Sequence, residues 1–118
     1  MSLQLHLQDI ISSEVDVPLE DWQPEDPFNV SIQLDLEIGE AGRDGVNLFY
    51  LPLATPRALQ HKDHYVLLPQ RCLVVDYFDF PRIKGHIQQI LERCPGDSWE
   101  DCCHLLQRYF QWEYEGMC

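Results

Sequence analysis

The chain has 118 residues, of which 45% are hydrophobic and 24% charged. This composition is typical of one folded globular domain and excludes a wholly disordered chain. No apolar run approaches the ~20 residues of a membrane span, and the N-terminus lacks the basic start of a secretory signal. We therefore expect a single cytoplasmic domain over residues 1–118, without membrane association.

The acidic residues are concentrated at one end of the chain. The formal net charge is −12. Residues 1–42 hold ten Asp or Glu and no Lys or Arg, whereas the remaining residues hold ten acids and all eight bases. Nucleic acids and anionic membranes bind basic surfaces, so the charge excludes both as direct partners. It favours a basic protein partner; the alternative is that the acids only maintain solubility.

The first predicted strand covers residues 3–10, where apolar and polar residues alternate. An acidic, proline-containing segment follows over residues 12–27, with a helical turn predicted around 19–22. The strongest pattern lies within residues 28–38, where six apolar residues alternate with five polar ones. This period of two predicts a long antiparallel strand with one face in water.

Glycines at 39, 42 and 45 predict a turn into a second hairpin strand, Asn47–Ala54. Pro52 within that strand indicates an edge position or a bulge. Thr55 followed by Pro predicts the start of a short helix over 57–61. The apolar run within residues 67–78 predicts a central strand covered on both faces.

Two amphipathic helices are predicted at the C-terminal end. One runs from about residue 80 to 93 after a capping Asp79, and the other follows Ser98 and extends to about residue 112. Strands followed by helices predict an α+β fold, an antiparallel sheet of about four strands with the C-terminal helix pair packed on one face.

The chain lacks the motifs of catalysis and of cofactor binding. Its five cysteines form no CxxC pair and are typical of reduced thiols. His61 and His64 lie three apart without a third metal ligand. Neither a nucleophile motif nor a phosphate-binding glycine loop occurs. We therefore predict a protein that is not an enzyme and binds no metal or cofactor.

The remaining candidate function is protein binding. Six acids within 13 residues flank Trp22, an aromatic residue of the type that anchors interfaces. Trp22 could instead fold back over the sheet as a lid, which would still present the acids rigidly. With two acids on the wet face of the long strand, the predicted partner-binding residues are Glu14, Asp16, Glu20, Asp21, Trp22, Glu25, Asp26, Asp35 and Glu37.

The order of several motifs resembles the Imm8 family of bacterial immunity proteins. The similar blocks are Trp22–Pro27, a block from Ile38-Gly39 through Gly45 and Phe49 to Thr55-Pro56 and Leu59, Val75–Asp79 with Ile83 and Ile87, and Ser98–Glu115. The resemblance implies a protein encoded beside a toxin of a polymorphic or contact-dependent system. Such proteins bind the toxin's C-terminal domain in the cytoplasm and block it, and many such toxins are nucleases.

The leading hypothesis is therefore an inhibitor that occludes a basic toxin domain through charge complementarity. One alternative is an acidic adaptor or regulatory domain that binds a basic host protein. Another is a small hydrolase with a His–carboxylate pair.

Overall fold

The computed structural model describes residues 3–60 and 72–114. Three strands of the central sheet precede the first helix, one lies between the first and second helices, and one follows the third helix. The elements are β1 (Leu5–Ile11), β2 (Ser31–Glu40), β3 (Asn47–Ala54), α1 (Pro56–Gln60), β4 (Leu73–Val74), α2 (Phe80–Glu92), α3 (Trp99–Leu106) and β5 (Gln111–Trp112).

The strands form one curled sheet in the order β1-β2-β3-β4, and β5 also pairs with β3. The pairs β1–β2, β2–β3 and β3–β5 are antiparallel, whereas β3–β4 is parallel. The predicted α+β class is confirmed. The parallel pair and β5 were not predicted.

Alternation along β2 and β3 gives the sheet an inner, buried face and an outer face. The inner-face side chains, each at most 3% exposed, are Leu34, Leu36, Ile38, Phe49, Leu51 and Leu53. The helices and the turn after α3 supply further members of the same core, Ile83, Ile87, Leu91, Cys103, Leu106 and Phe110. The helix pair therefore covers the inner face, as the amphipathic patterns predicted.

β1 departs from the simple alternation predicted for residues 3–10. Leu7 and Ile10 are both buried, although residues three apart in a regular strand face opposite sides. A register shift between Leu7 and Asp9 resolves the conflict, because a bulge inserts one extra residue. The bulge places Asp9 opposite Glu37 on the outer face.

β2 begins three residues later than the predicted strand. The Asp26 carboxylate accepts the Phe28 N–H at 3.0 Å, and the Asn29 N–H donates to the Asp26 carbonyl. This turn places the Phe28 side chain 51% exposed to solvent. The first of the six alternating apolar residues, Phe28, therefore does not belong to the strand as predicted, because local turn chemistry outweighed the period-two pattern.

Pro52 lies in β3, which has neighbouring strands on both sides. The Thr55 N–H donates to the carbonyl of Val30, the residue just before β2. Because backbone N–H groups alternate between the two sides of a strand, the nitrogen of Pro52, three residues earlier, points away from β2. On that side β5 covers residues 49–50 and β4 covers residues 53–54. Pro52 therefore occupies a gap between two short strands, where a missing N–H costs no ladder bond.

The prediction of a central strand over 67–78 is wrong for the part that the structure describes. β4 contains only Leu73 and Val74 and lies at the end of the strand order. Val74 is 45% exposed, so this strand is not covered on both faces. Residues 67–71, His61 and His64 lie outside the described residues.

The two C-terminal helices begin where the sequence predicted. Pro81 stands in the first turn of α2, and the Ser98 hydroxyl accepts the Asp101 N–H at 3.3 Å to cap α3. However, α3 ends at Leu106 rather than near residue 112. The chain then turns, buries Phe110 completely and pairs Trp112 with β3.

Candidate partner-binding surface

The acidic segment after β1 is a series of turns held against the core. The Asp21 N–H donates to the Pro18 carbonyl at 2.9 Å, and the Trp22 N–H donates to the Leu19 carbonyl at 3.3 Å. Leu19 is 3% exposed, and the Trp22 ring packs edge-on against Phe78 at 4.9 Å between centroids. Trp22 is therefore a half-buried lid, and the segment that carries it is fixed to the fold.

Five of the predicted acids are exposed on this segment, one of them Glu14. The other four are Asp16, Glu20, Asp21 and Glu25. Glu25 also lines a cavity of about 720 Å³ that opens between the segment and the start of β2, with Trp22 among the other lining residues. The structure thus brings Glu25 and Trp22 together. It leaves Asp16, Glu20 and Asp21 in solvent.

Asp26 already has partners within the chain. Its carboxylate accepts from the Arg57 guanidinium at 2.9 Å and caps the Phe28 N–H. Both ionic partners are substantially exposed, and such surface pairs contribute little to stability. The Arg57 cation nevertheless offsets the negative charge of Asp26, which makes Asp26 a weaker candidate than its neighbours.

Glu14 connects the acidic segment to the sheet. The Glu14 carboxylate accepts the Gln33 N–H at 2.6 Å, on the side of β2 where β1 has already ended. The Gln33 side-chain amide in turn donates to Asp35 at 3.3 Å. Gln33 therefore links one acid of the segment, Glu14, to one of the two predicted acids of β2, Asp35.

The outer face of the sheet adds one acid that the sequence interpretation missed. Asp35 and Glu37 alternate along β2 and are half-buried, and Asp9 is directly opposite Glu37. Alternation in the sequence did not place Asp9 here; the burial of both Leu7 and Ile10, on either side of the bulge, does. None of the five strands contains a Lys or Arg.

A second exposed cluster was also missed. The Phe28 and Tyr77 rings lie 5.6 Å apart, and the Arg82 guanidinium stands 4.2 Å from the centre of the Tyr77 ring. Arg82 also pairs with Asp76, and this hydrogen bond holds the pKa of the Asp76 carboxyl below its ordinary value. The charges of this cluster are mutually compensated, whereas the outer-face acids form no ion pair within the part of the chain that the structure describes.

The described residues offer little for catalysis or metal binding. His6, His86 and His104 are exposed on separate elements. Burial raises the pKa of the Cys94, Cys102 and Cys103 thiols, which disfavours the nucleophilic thiolate. No group of three potential metal ligands occurs in residues 3–60 and 72–114. Within the same residues, no helix has the length and apolar character of a membrane span.

The fold and this surface define a class of protein, a small α+β domain that presents acidic residues from a fixed segment and from the outer face of its sheet. Comparison with family models makes the assignment specific. The chain belongs to the Immunity protein 8 family, Imm8, whose model matches residues 5–117. The resemblance inferred from the motifs is confirmed. Neither curated proteins nor solved structures gave a match.

Membership in this family implies neutralisation of a toxin, and the protein is a non-enzymatic inhibitor of the kind found in polymorphic toxin systems. The expectation that the chain is not an enzyme is thereby confirmed. The hydrolase alternative has no support from the family.

Proposed function

We propose that this chain neutralises its cognate toxin by binding a basic region of the toxin's C-terminal domain in the cytoplasm. The binding residues are those predicted from the sequence, Glu14, Asp16, Glu20, Asp21, Trp22, Glu25, Asp26, Asp35 and Glu37. The observation that carries this proposal is the continuity of the acidic surface, because Gln33 joins Glu14 to Asp35. Family membership supplies the toxin as the partner.

We propose that inhibition occurs by occlusion, and a rigid, exposed acidic segment supports this proposal. The segment after β1 is fixed by Leu19 and Trp22, so binding would cost little loop-ordering entropy. Its exposed acids attract a basic surface over about 8–10 Å at ordinary ionic strength and accelerate association. A toxin with a nuclease site would present such a basic surface, because phosphate binding requires Lys and Arg.

Charge reversal in the segment tests this proposal. We expect Glu20→Lys, Asp21→Lys and Glu25→Lys together to weaken binding of the purified cognate toxin domain by several kcal/mol, mainly through slower association. These three side chains are exposed, so the fold should be retained. Asp26 is left unchanged because it caps a turn and pairs with Arg57.

A matched control reverses three acids elsewhere on the surface. Asp44, Glu92 and Asp97 are also exposed, and their replacement by Lys changes the net charge by the same amount. Association rates are measured for both variants at low and high salt. Equal effects in the two variants would show that only net charge matters, and this result would contradict a localised acidic interface.

A further inference from the structure

The outer face of the sheet contains apolar side chains as well as acids. Leu48, Tyr50 and Pro52 alternate on the outer side of β3 and are half-buried, and Ile11 at the end of β1 is 41% exposed. The register places Ile11, Asp35 and Tyr50 side by side across three strands. An aromatic residue surrounded by polar groups is the usual composition of an interface hot spot.

The acids of this face are placed near one another in the sheet, an arrangement that does not stabilise the unbound chain. Asp9 and Glu37 are directly opposite one another, in a position where like charges destabilise a sheet, although the Asp9 carboxylate also accepts the Ile10 N–H at 2.8 Å. Asp35 is two residues along the same face, and among the described residues its carboxylate accepts from the neutral Gln33 amide. A cation from outside the chain would relieve this repulsion.

The helices leave this face without a covering layer in the described residues. The inner-face side chains share one core with α2 and α3, so those helices occupy only the opposite side of the sheet. Within residues 3–60 and 72–114, the outer face therefore combines a surface without a covering layer, an aromatic centre and acids that form no ion pair.

We propose that this outer face is the principal anchoring contact for the toxin. The occupant is a protein surface bearing Lys or Arg, whose cation lies over the Tyr50 ring within reach of the Asp35 and Glu37 carboxylates. Contact between a cation and an aromatic face adds to the ion pairs, and Arg in particular combines both. The proposal rests on toxin binding as the function, and it adds Asp9, Leu48 and Tyr50 to the interface.

This assignment separates two roles within the acidic surface. The exposed acids of the segment attract the partner over a distance, so they act on the association rate. The outer face makes short-range, desolvated contacts, so it acts on the dissociation rate. The two groups of residues should therefore differ in kinetics and not only in affinity.

The test uses the full chain and the purified C-terminal domain of the cognate toxin, with binding kinetics measured by surface plasmon resonance. Asp9→Asn combined with Glu37→Gln removes two charges and keeps the side-chain shapes. We expect the dissociation constant to rise about tenfold or more, mainly through faster dissociation. The thermal unfolding midpoint should be unchanged or higher, a result that a merely structural role would not produce.

Tyr50 is tested by two substitutions. Tyr50→Thr keeps a strand-forming residue but removes the ring, and we expect a similar loss of affinity. Tyr50→Phe keeps the ring and should retain binding within about threefold, because the ring face provides the contact. Loss of binding in both variants with an intact fold would overturn the role of the ring.

The control variant carries Asp44→Asn and Glu92→Gln, which remove two exposed charges away from this face. We expect it to bind as the unaltered chain does. If Asp9→Asn with Glu37→Gln also binds unchanged while the charge-reversed segment does not, the outer face is not the anchor and toxin binding stands. If the unaltered chain fails to bind the toxin domain, both proposals fall.

Discussion

The two faces of β2 are built from neighbouring residues but respond to different requirements. Leu34, Leu36 and Ile38 are at most 1% exposed and meet the helices. Between them, Asp35 and Glu37 face outward, with Asp9 opposite Glu37. Burial of the inner residues stabilises the fold, whereas the outer face places two acids, Asp9 and Glu37, opposite one another in the register. This contrast is why we propose the outer face, and not the inner one, as the partner-binding side.

The largest effect should come from the inner face. Leu36→Ala removes a side chain that is 0% exposed, so we expect the free energy of unfolding to fall by about 3 kcal/mol. Glu37→Gln, at the next position on the outer face, should change it by less than ~0.5 kcal/mol. Urea unfolding of both variants checks this contrast, which equal losses would break.

The second prediction concerns the hydrogen bonds of Thr55, which lies between the end of β3 and the start of α1. Its hydroxyl accepts the Val30 N–H at 3.0 Å and the Ala58 N–H at 3.4 Å, and the residue is 0% exposed. Thr55→Val should lower the free energy of unfolding by about 1–3 kcal/mol, because a buried N–H loses its acceptor. Thr55→Ser keeps the hydroxyl and should cost less; a larger loss in the Ser variant would exclude this explanation.

The buried thiols should make the free energy of unfolding depend on pH in the alkaline range. Burial raises the pKa of Cys94, Cys102 and Cys103 in the folded chain, so the unfolded chain loses these protons first as the pH rises. Their contribution to stability is thus complete below pH about 8.5 and is lost as the pH rises through the higher folded values. Urea midpoints measured from roughly pH 7.5 to 9.5 should decline, and Cys102→Ala should flatten the decline. An equally steep decline in that variant would refute the assignment to the thiols.

The smallest effect concerns the outer face alone. Screening weakens repulsion between exposed carboxylates, so added salt should raise the free energy of unfolding by a few tenths of a kcal/mol, up to ~1 kcal/mol. Asp9→Asn with Glu37→Gln should reduce this salt dependence. If the double variant responds to sodium chloride as the unaltered chain does, the two carboxylates are not the source of the repulsion.

Much of the inner face was predictable from the sequence. The period of two in β2 identified its buried side, and the spacing of Ile83, Ile87 and Leu91 identified the buried side of α2. β5 was not predictable from its sequence, because Gln111 and Trp112 follow a helical pattern and become a strand only through pairing with β3. The parallel β3–β4 pair likewise depends on tertiary contacts.

The candidate surface was predictable in composition but not in arrangement. Charge and polarity identified the acids, and the lid position of Trp22 was one of two alternatives. The link from Glu14 to Asp35 depends on β1 ending before Gln33, which leaves that N–H for a carboxylate. Asp9 reached the outer face only through a bulge, which alternation alone does not place.

The central claim is that the acidic outer face meets a basic surface of the toxin. A crystal structure of this chain bound to the cognate toxin domain tests it most directly. The account predicts Lys or Arg nitrogens of the toxin within hydrogen-bonding distance of the Asp35 and Glu37 carboxylates, with Tyr50 buried beneath them. A complex in which these three side chains remain in solvent, with the toxin held by the helices, would contradict it.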